Sequence, residues 1–296
     1  MQYIKGLDAF DGRNHTAVTL GKFDGLHRGH QKLLNRIMKY AQKEDCDSVV
    51  CAFDMDRDCL MTNEERRAFL EDKVDYLIEI PFTREMMEME AEKFIDEILH
   101  KKLHASHIVV GTDFNFGHEK RGNHQMLEKY AAKYGYTVDV VEKAYYKDRE
   151  ISSTYIREAL EKGEMELAKD LLGYPYFVSG EVLHGRHMGG RLLFPTTNLI
   201  PTTRKLLPPN GVYVSRTHLE DGRILGGMTN IGYKPTVGEK FRGVETYLYD
   251  VDEDLYGADI RVELLHFIRP ERKFESLDAL REQMEKDIAC GKEFLK

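Results

Sequence analysis

The chain has 296 residues and a formal net charge of −8, with 42% hydrophobic and 32% charged residues. This length is enough for two domains with separate cores, and the composition is typical of a soluble globular protein. The acidic balance, without a long basic stripe, argues against a nucleic-acid-binding protein that depends on phosphate contacts. Because the sequence has no membrane-length apolar run, no signal-peptide core and no C-x-x-C pair, we expect a cytoplasmic protein.

Short apolar segments alternate with amphipathic segments throughout the N-terminal half. This repeat of strand and helix is typical of a parallel sheet with helices on both faces, and it predicts a doubly wound α/β domain. Ligands of such sheets bind beyond the carboxyl ends of the strands. The predicted strands are Thr16–Leu20, Ser48–Phe53, Tyr76–Ile80, His107–Val110 and Val138–Val141, and the predicted helices are Gln31–Lys43, Glu64–Leu70, Ala91–Lys102, Met126–Tyr134, Tyr155–Lys162 and Glu166–Leu172.

The pattern changes in the C-terminal half, where short strand-like segments are separated by glycine and proline from Tyr176 to about Phe267. Such spacing is typical of a small antiparallel barrel or sandwich. The stretch Ser276–Cys290 predicts one closing amphipathic helix with Ser276 as its N-cap. We therefore expect an N-terminal domain of residues 1–174 and a C-terminal domain of residues 175–296.

The segment GKFDGLHRGH, residues 21–30, lies between a predicted strand and a predicted helix. A glycine at the strand end, Gly21, lets the backbone approach a phosphate or adenine closely. His27 and His30 are three residues apart at a helix start, so their imidazoles lie on one face beside free N–H groups and a positive dipole end. This suits phosphoryl transfer by charge stabilisation. The alternatives are a metal pair, which lacks a nearby third ligand, and a solvated helix start.

Hydroxyl-bearing residues lead into a later predicted helix of the same half. Ser152, Ser153 and Thr154 can hold phosphates there together with free N–H groups. Arg157 follows on the first turn and can add a charged contact. An ordinary N-cap beside an exposed arginine explains the same residues. Asp113 follows a predicted strand, where a ligand contact is expected.

In the C-terminal half, Thr196 and Asn198 are two residues apart in an extended segment, so their side chains lie on the same face. A hydroxyl and an amide oxygen are hard ligands that suit Mg²⁺, which also takes phosphate oxygens. A simple Pro-Thr turn in a barrel is the alternative interpretation.

Several segments resemble the motifs of one family. The stretch at residues 21–30 resembles the signature of HxGH nucleotidylyltransferases, and specifically that of prokaryotic bifunctional riboflavin kinase/FAD synthetases. GTDFNFG at 111–117 and ISSTYIR at 151–157 resemble two further nucleotide motifs of this family. HGRHMGGRLLFPTTN at 184–198, PPNGVY at 208–213, TNIGYKPTVG at 229–238 and VETY at 244–247 resemble its riboflavin kinase motifs.

The resemblance implies two activities on one chain. An N-terminal nucleotidylyltransferase domain would transfer AMP from ATP to FMN, giving FAD, and a C-terminal barrel would phosphorylate riboflavin with ATP. Both would use Mg²⁺ and small-molecule substrates, without nucleic acid or membrane, as a monomer or weak homo-oligomer. The implied catalytic residues are His27, His30, Arg157 and Glu245, the last as general base; the implied ATP- or flavin-binding residues are Gly21, Phe23, Asp24, Gly29, Asp113, Ser152, Ser153, Thr154, Gly185 and Asn210; the implied metal ligands are Thr196 and Asn198.

The chain departs from the family pattern at several positions. FDMDR at 53–57 replaces a common Pro-His-Pro, which leaves Asp54 and Asp56 as candidates for a flavin or nucleotide contact. Gly190 stands where arginine is usual and Leu193 where glycine is usual. Tyr247 stands where histidine is frequent. Two alternatives therefore stay open: an FAD synthetase with a degenerate kinase domain, and a non-catalytic flavin-binding sensor.

Overall fold

The computed structural model describes residues 1–54, 58–183, 196–235, 240–251 and 253–296. The chain forms two compact units, Met1–Ser152 and Ser153–Lys296. Backbone contacts thus group the helical segment at 153–172 with the C-terminal unit, and the domain boundary after residue 174 stays a prediction.

A parallel sheet with intervening helices forms most of the first unit, together with two short antiparallel strand pairs. The strands are β1 Gln2–Lys5, β2 Thr16–Gly21, β3 Asp47–Asp54, β4 Tyr76–Pro81, β5 Ala105–Gly111, β6 Asn115–Phe116, β7 Gly122–Asn123, β8 Thr137–Val141, β9 Tyr145–Tyr146 and β10 Arg149–Glu150, and the helices are α1 Arg28–Lys43, α2 Asn63–Leu70, α3 Arg84–Glu88, α4 Ala91–Lys93 and α5 His124–Tyr134. The two antiparallel pairs are β6 with β7 and β9 with β10.

Six of these strands form one sheet in the order β1-β4-β3-β2-β5-β8, and every pair in it is parallel. From β2 the chain first adds strands on one side and then crosses to the other, so the order reverses between β2 and β5. The carboxyl ends of two strands at such a switch point form a crevice in which ligands bind. The predicted doubly wound fold is confirmed, and it places the first candidate site at this crevice.

The predicted helix at 91–102 has a different winding from the one expected. A single α-helical turn, α4, continues into a π-helix from Phe94 to Lys102. Phe94, Ile95 and Leu99 of that segment are buried. A run of nine residues with these apolar positions fits either winding, because the two periods diverge too little over so short a distance.

A buried ion pair joins α2 to β4. Arg66 contacts Glu79 at 2.8 Å, and each side chain is 5% exposed. The Tyr3 hydroxyl donates to the other carboxylate oxygen of Glu79 at 2.5 Å. Burial, and then the contact with Glu79, raises the pKa of Tyr3 to about 12. Arg66 also donates to the Lys22 carbonyl at 3.4 Å, so the pair supports the segment that follows β2.

The described residues of the second unit form an antiparallel sheet and three helices. The elements are α6 Ser153–Glu161, α7 Met165–Leu172, β11 Tyr176–Glu181, β12 Thr196–Leu199, β13 Gly211–His218, β14 Ile224–Pro235, β15 Lys240–Leu248, β16 Asp259–Pro270 and α8 Leu277–Phe294.

The strands of this sheet run in the order β11-β16-β13-β14-β15-β12. The Leu183 N–H, just beyond the edge strand β11, donates to the Asn198 carbonyl of the other edge strand, β12, at 2.9 Å. This bond curls the sheet towards the predicted barrel.

The closing helix α8 packs on the sheet. The Ser276 hydroxyl accepts the Ala279 N–H at 3.1 Å, which confirms the predicted N-cap. Arg269 on β16 donates to both carboxylate oxygens of Asp287 on α8, with a shortest distance of 2.7 Å. Both side chains are mostly buried, so this fork fixes the helix on the strand.

Candidate functional site

The turn from β2 to α1 builds the first candidate site. Phe23 and Leu26 have the φ angles +46° and +37°, a left-handed conformation that costs a non-glycine residue energy. Both side chains are fully buried, which holds the backbone in this conformation. The Asp24 carboxylate accepts the Leu60 N–H at 2.7 Å. The predicted binding residues Phe23 and Asp24 therefore stabilise the turn through buried contacts.

Two stacked imidazoles stand at the end of this turn. His27 is the N-cap of α1 and His30 lies on its first turn. Their ring centroids are 3.7 Å apart at an interplanar angle of 22°, so both rings lie on one face, as the spacing predicts. Phe23 contacts the His30 ring edge-on at 5.2 Å. A Cβ at Gly29 would lie 3.1 Å from the His27 ring, which explains the glycine between them.

Burial keeps both imidazoles neutral. It lowers the pKa of His27 from 6.5 to about 4, although the charge of Asp113 acts in the opposite direction. Burial, and then the neighbouring His27, holds the pKa of His30 well below 6.5. In the part of the chain that the structure describes, the Nδ1 atoms of both rings are buried without a hydrogen-bond partner. The pair thus offers two fixed imidazoles at the positive end of a helix.

Three segments of the first unit meet at the switch point. Gly21 ends β2 and Gly111 ends the adjacent β5, with Asp113 two residues further on. The carbonyl oxygen of Ile151 lies 3.9 Å from the position of a Cβ on Gly29, so Ile151 borders the helix start that carries the two imidazoles. This convergence of a strand switch point and a helix N-terminus suits an anionic nucleotide.

The remaining residues of the ISST segment begin α6. Ser153 and Thr154 are its first two residues. Arg157 is its fifth residue and so lies on the second turn, where the sequence had suggested the first. Their roles in phosphate binding stay predictions.

The second candidate site lies on the antiparallel sheet. The Thr196 hydroxyl donates to Glu245 Oε1 at 2.8 Å. Asn198 on β12 stands directly opposite Glu245 on β15, and Asn230 on β14 stands opposite it on the other side. Residues directly opposite each other in a ladder share a face of the sheet, so these oxygen-bearing side chains form one row. Asn230 belongs to the motif at 229–238, but the sequence did not predict its place in this row.

The segment before β13 is fixed by one arginine. Arg242 donates to the Asn210 side-chain oxygen at 2.9 Å, to the Leu207 carbonyl at 3.0 Å and to the Pro208 carbonyl. The bond from Arg242 uses one of the two lone pairs of the Asn210 side-chain oxygen and fixes the orientation of the amide. The predicted binding role of Asn210 stays a prediction.

Family models match both halves of the chain. Residues 11–155 match the model described as FAD synthetase, and residues 172–295 match the model described as riboflavin kinase. A protein of Haemophilus influenzae called bifunctional riboflavin kinase/FMN adenylyltransferase is 36% identical over 306 residues, covering 99% of both chains. The chain belongs to the bifunctional riboflavin kinase/FMN adenylyltransferase family. The resemblance inferred from the motifs is thereby confirmed.

Further relatives carry the same name, and one solved structure has a similar fold. The bifunctional riboflavin kinase/FMN adenylyltransferase of Escherichia coli K12 is 35% identical over 94% of this chain and 92% of its own length. That of Bacillus subtilis is 35% identical over 92% and 90%. A crystal structure from Streptococcus pneumoniae, described as a macrolide-efflux protein, superposes with a TM-score of 0.86 at 29% identity over 98% of both chains. The solved structure and the present chain therefore have the same fold over 98% of each chain.

Several predicted positions of this family member lie outside the described residues, namely Asp56, Gly185, Gly190 and Leu193. Asp54 ends β3 and accepts from Asn63 at 3.4 Å. Among the described residues, no group of three or more histidine, cysteine, aspartate or glutamate side chains could hold a metal ion. The helices described in the structure include none that is long and apolar enough to span a bilayer.

Proposed function

We propose that the chain carries out both reactions of its family. Its C-terminal unit phosphorylates riboflavin with ATP to give FMN, and its N-terminal unit transfers AMP from ATP to FMN to give FAD and pyrophosphate. The observation that carries the proposal is that one chain, matched by both family models, holds an ordered imidazole stack and an ordered Thr–Glu pair. This favours a bifunctional enzyme over the FAD synthetase with a degenerate kinase domain and over the flavin sensor.

In the adenylyl transfer, a phosphate oxygen of FMN attacks the α-phosphorus of ATP and the bond to pyrophosphate breaks. Negative charge on the transferred group is stabilised by His27, His30 and the N-terminus of α1. Neutral imidazoles can donate through one N–H each, and the two rings are stacked on one face of the helix start. Gly21 and Gly29 let the backbone approach the phosphates, Phe23 and Asp24 shape the turn that carries the imidazoles, and Asp113 lies near the nucleotide. The phosphate contacts come from the residues of the ISSTYIR motif, Ser152, Ser153, Thr154 and Arg157.

In the phosphorylation of riboflavin, Glu245 accepts the proton of the primary hydroxyl of the ribityl chain. The hydroxyl oxygen attacks the γ-phosphorus and ADP leaves. The Thr196 hydroxyl donates to Glu245 and thereby orients the carboxylate. The oxygen donors Thr196 and Asn198 are two apart on one face and fit Mg²⁺. When bound, this ion neutralises phosphate charge.

Separate product analyses with riboflavin and with FMN test the proposal. We expect His30→Ala to lose FAD formation and keep FMN formation, and Glu245→Ala to do the opposite. Glu282→Ala, at an exposed position of α8, serves as a control and should keep both activities. If both site variants lost both activities while still folded, the assignment of two sites would be wrong. If the unaltered protein bound flavin without consuming ATP, the sensor alternative would hold.

The protein is expected to act in the cytoplasm on small molecules, as a monomer or weak homo-oligomer and without nucleic acid. The net charge of −8 supports the last point, because it disfavours contact with a phosphate backbone. Light scattering coupled to size-exclusion chromatography, with and without ATP, gives the oligomeric state.

A further inference from the structure

Lys143 lies in the loop between β8 and β9 and joins two segments that carry predicted motifs. Its Nζ is 3.2 Å from Asp113 Oδ2 and 2.8 Å from Glu150 Oε2. Asp113 belongs to the GTDFNFG segment, and Glu150 directly precedes Ile151 of the ISST segment. The Lys143 side chain is 28% exposed, whereas those of Asp113 and Glu150 are 67% and 38% exposed. The cluster therefore holds three charges at the border between protein and solvent.

The backbone of Lys143 is fixed to the helix that carries the imidazole pair. Lys32 of α1 follows His30 by two residues, and its Nζ donates to the Glu142 carbonyl at 3.2 Å and to the Lys143 carbonyl at 3.0 Å. On the other side, the Ile151 N–H donates to the Ala144 carbonyl at 2.8 Å. These bonds distinguish Lys143 from a lysine that moves freely on the surface.

The charge of Asp113 acts on His27, one of the two imidazoles of the pair. It raises the pKa of His27 against the larger effect of burial. A triphosphate bound at His27 and His30 would therefore experience the negative charge of Asp113, and that of Glu150 nearby. Uncompensated carboxylates beside a polyanion repel it, and the repulsion weakens binding. The hydrogen bond to Glu150 raises the pKa of Lys143, so the lysine carries its positive charge at neutral pH.

We propose that Lys143 is a positioning residue of the adenylyl-transfer site, which offsets part of the negative charge of Asp113 and Glu150 and so allows the site to accept the triphosphate of ATP. The inference rests on the proposed location of that site at His27 and His30. Lys143 acts on the binding of ATP through the two carboxylates, so its loss changes the KM for ATP more than kcat.

Steady-state FAD formation from FMN and ATP tests the proposal. We expect Lys143→Met to raise the KM for ATP about 10-fold, equivalent to about 1.4 kcal/mol, with kcat changed less than about 3-fold. Lys143→Arg should restore the KM. Glu150→Gln in the Lys143→Met background should recover part of the loss, because it removes one repelling charge. As a matched control, Lys101→Met breaks an exposed ion pair with Asp96 and should leave the KM unchanged.

Far-UV circular dichroism and urea unfolding of the same samples report on the folding of the N-terminal unit, which contains Lys143. Glu150→Gln alone provides a test that does not depend on the stability of Lys143→Met. This single variant should lower the KM for ATP or leave it unchanged. An unchanged KM in Lys143→Met, or a raised KM in Glu150→Gln, would overturn the proposal. His30→Ala in the same assay separates the two inferences: if it abolishes FAD formation while Lys143→Met does nothing, only the role of Lys143 is wrong.

Discussion

Replacing Glu79 with leucine should destabilise the N-terminal unit by about 3–5 kcal/mol. The variant leaves the Arg66 guanidinium, 5% exposed, without the carboxylate that it contacts at 2.8 Å. Arg66 keeps the Asn63 side-chain oxygen at 2.7 Å and the Lys22 carbonyl at 3.4 Å, but both are neutral acceptors. Most of the loss therefore comes from a buried charge without a counter-charge, and the magnitude is that measured when one partner of a buried pair is removed.

Urea unfolding followed by far-UV circular dichroism gives the change in unfolding free energy. The double variant Arg66→Met/Glu79→Leu should recover most of the loss, because it removes the stranded charge as well. Glu88→Leu breaks the exposed Arg84–Glu88 pair and should change stability by no more than about 0.5 kcal/mol. A loss below about 1 kcal/mol for Glu79→Leu would refute the reasoning, since Arg66 would then have found other compensation.

Two further predictions concern buried polar groups. Tyr249→Phe should raise the unfolding free energy by about 1–2 kcal/mol in urea titrations. The reason is that the Tyr249 hydroxyl, packed against Gly291 of α8, is buried with no hydrogen-bond partner among the described residues. The same change at the exposed Tyr145 should have no effect, and a destabilised Tyr249→Phe would contradict the prediction. The pKa of His27 is about 4 in the folded protein, against its ordinary value of 6.5. Its contribution to the unfolding free energy is therefore complete above pH 6.5 and is lost as the pH falls from 6.5 to about 4. Between about pH 7 and about pH 5 it should amount to about 2 kcal/mol, and His27→Gln should show a correspondingly flatter profile of unfolding free energy.

Much of the N-terminal unit was predictable because its elements have strong local periodicity. The strand predicted at Ser48–Phe53 is observed at Asp47–Asp54, and the helix predicted at Gln31–Lys43 begins three residues earlier. The strand β1 was not predicted. Only Ile4 of its four residues is buried, so the segment shows no apolar pattern of its own. Its partner strand β4 is distant in the sequence, since Gln2 pairs with Tyr76. A short edge strand leaves little signal in its own residues.

The two candidate sites also differ in how much of their geometry follows from local sequence. The stack of His27 on His30 follows from their spacing on one helix, which is local information. The contact of Thr196 with Glu245 depends on the register of two strands 49 residues apart, and it was not predicted. The family resemblance implied only that both residues belong to the kinase site. Lys143 belongs to no motif, and its position follows from backbone bonds to Lys32 that no sequence pattern encodes.

The proposed metal ligands lie on the four-residue strand β12, so the direction of their side chains depends on the register of β12 along β15. Thr196 and Asn198 face Glu245, whereas the alternate residues Thr197 and Leu199 are buried on the opposite side. Sliding β12 along β15 by a single position would exchange these two sets. Deleting Thr197 should therefore abolish riboflavin phosphorylation even though both proposed metal ligands are still encoded, because consecutive residues of a strand point to opposite faces and the two ligands would be separated.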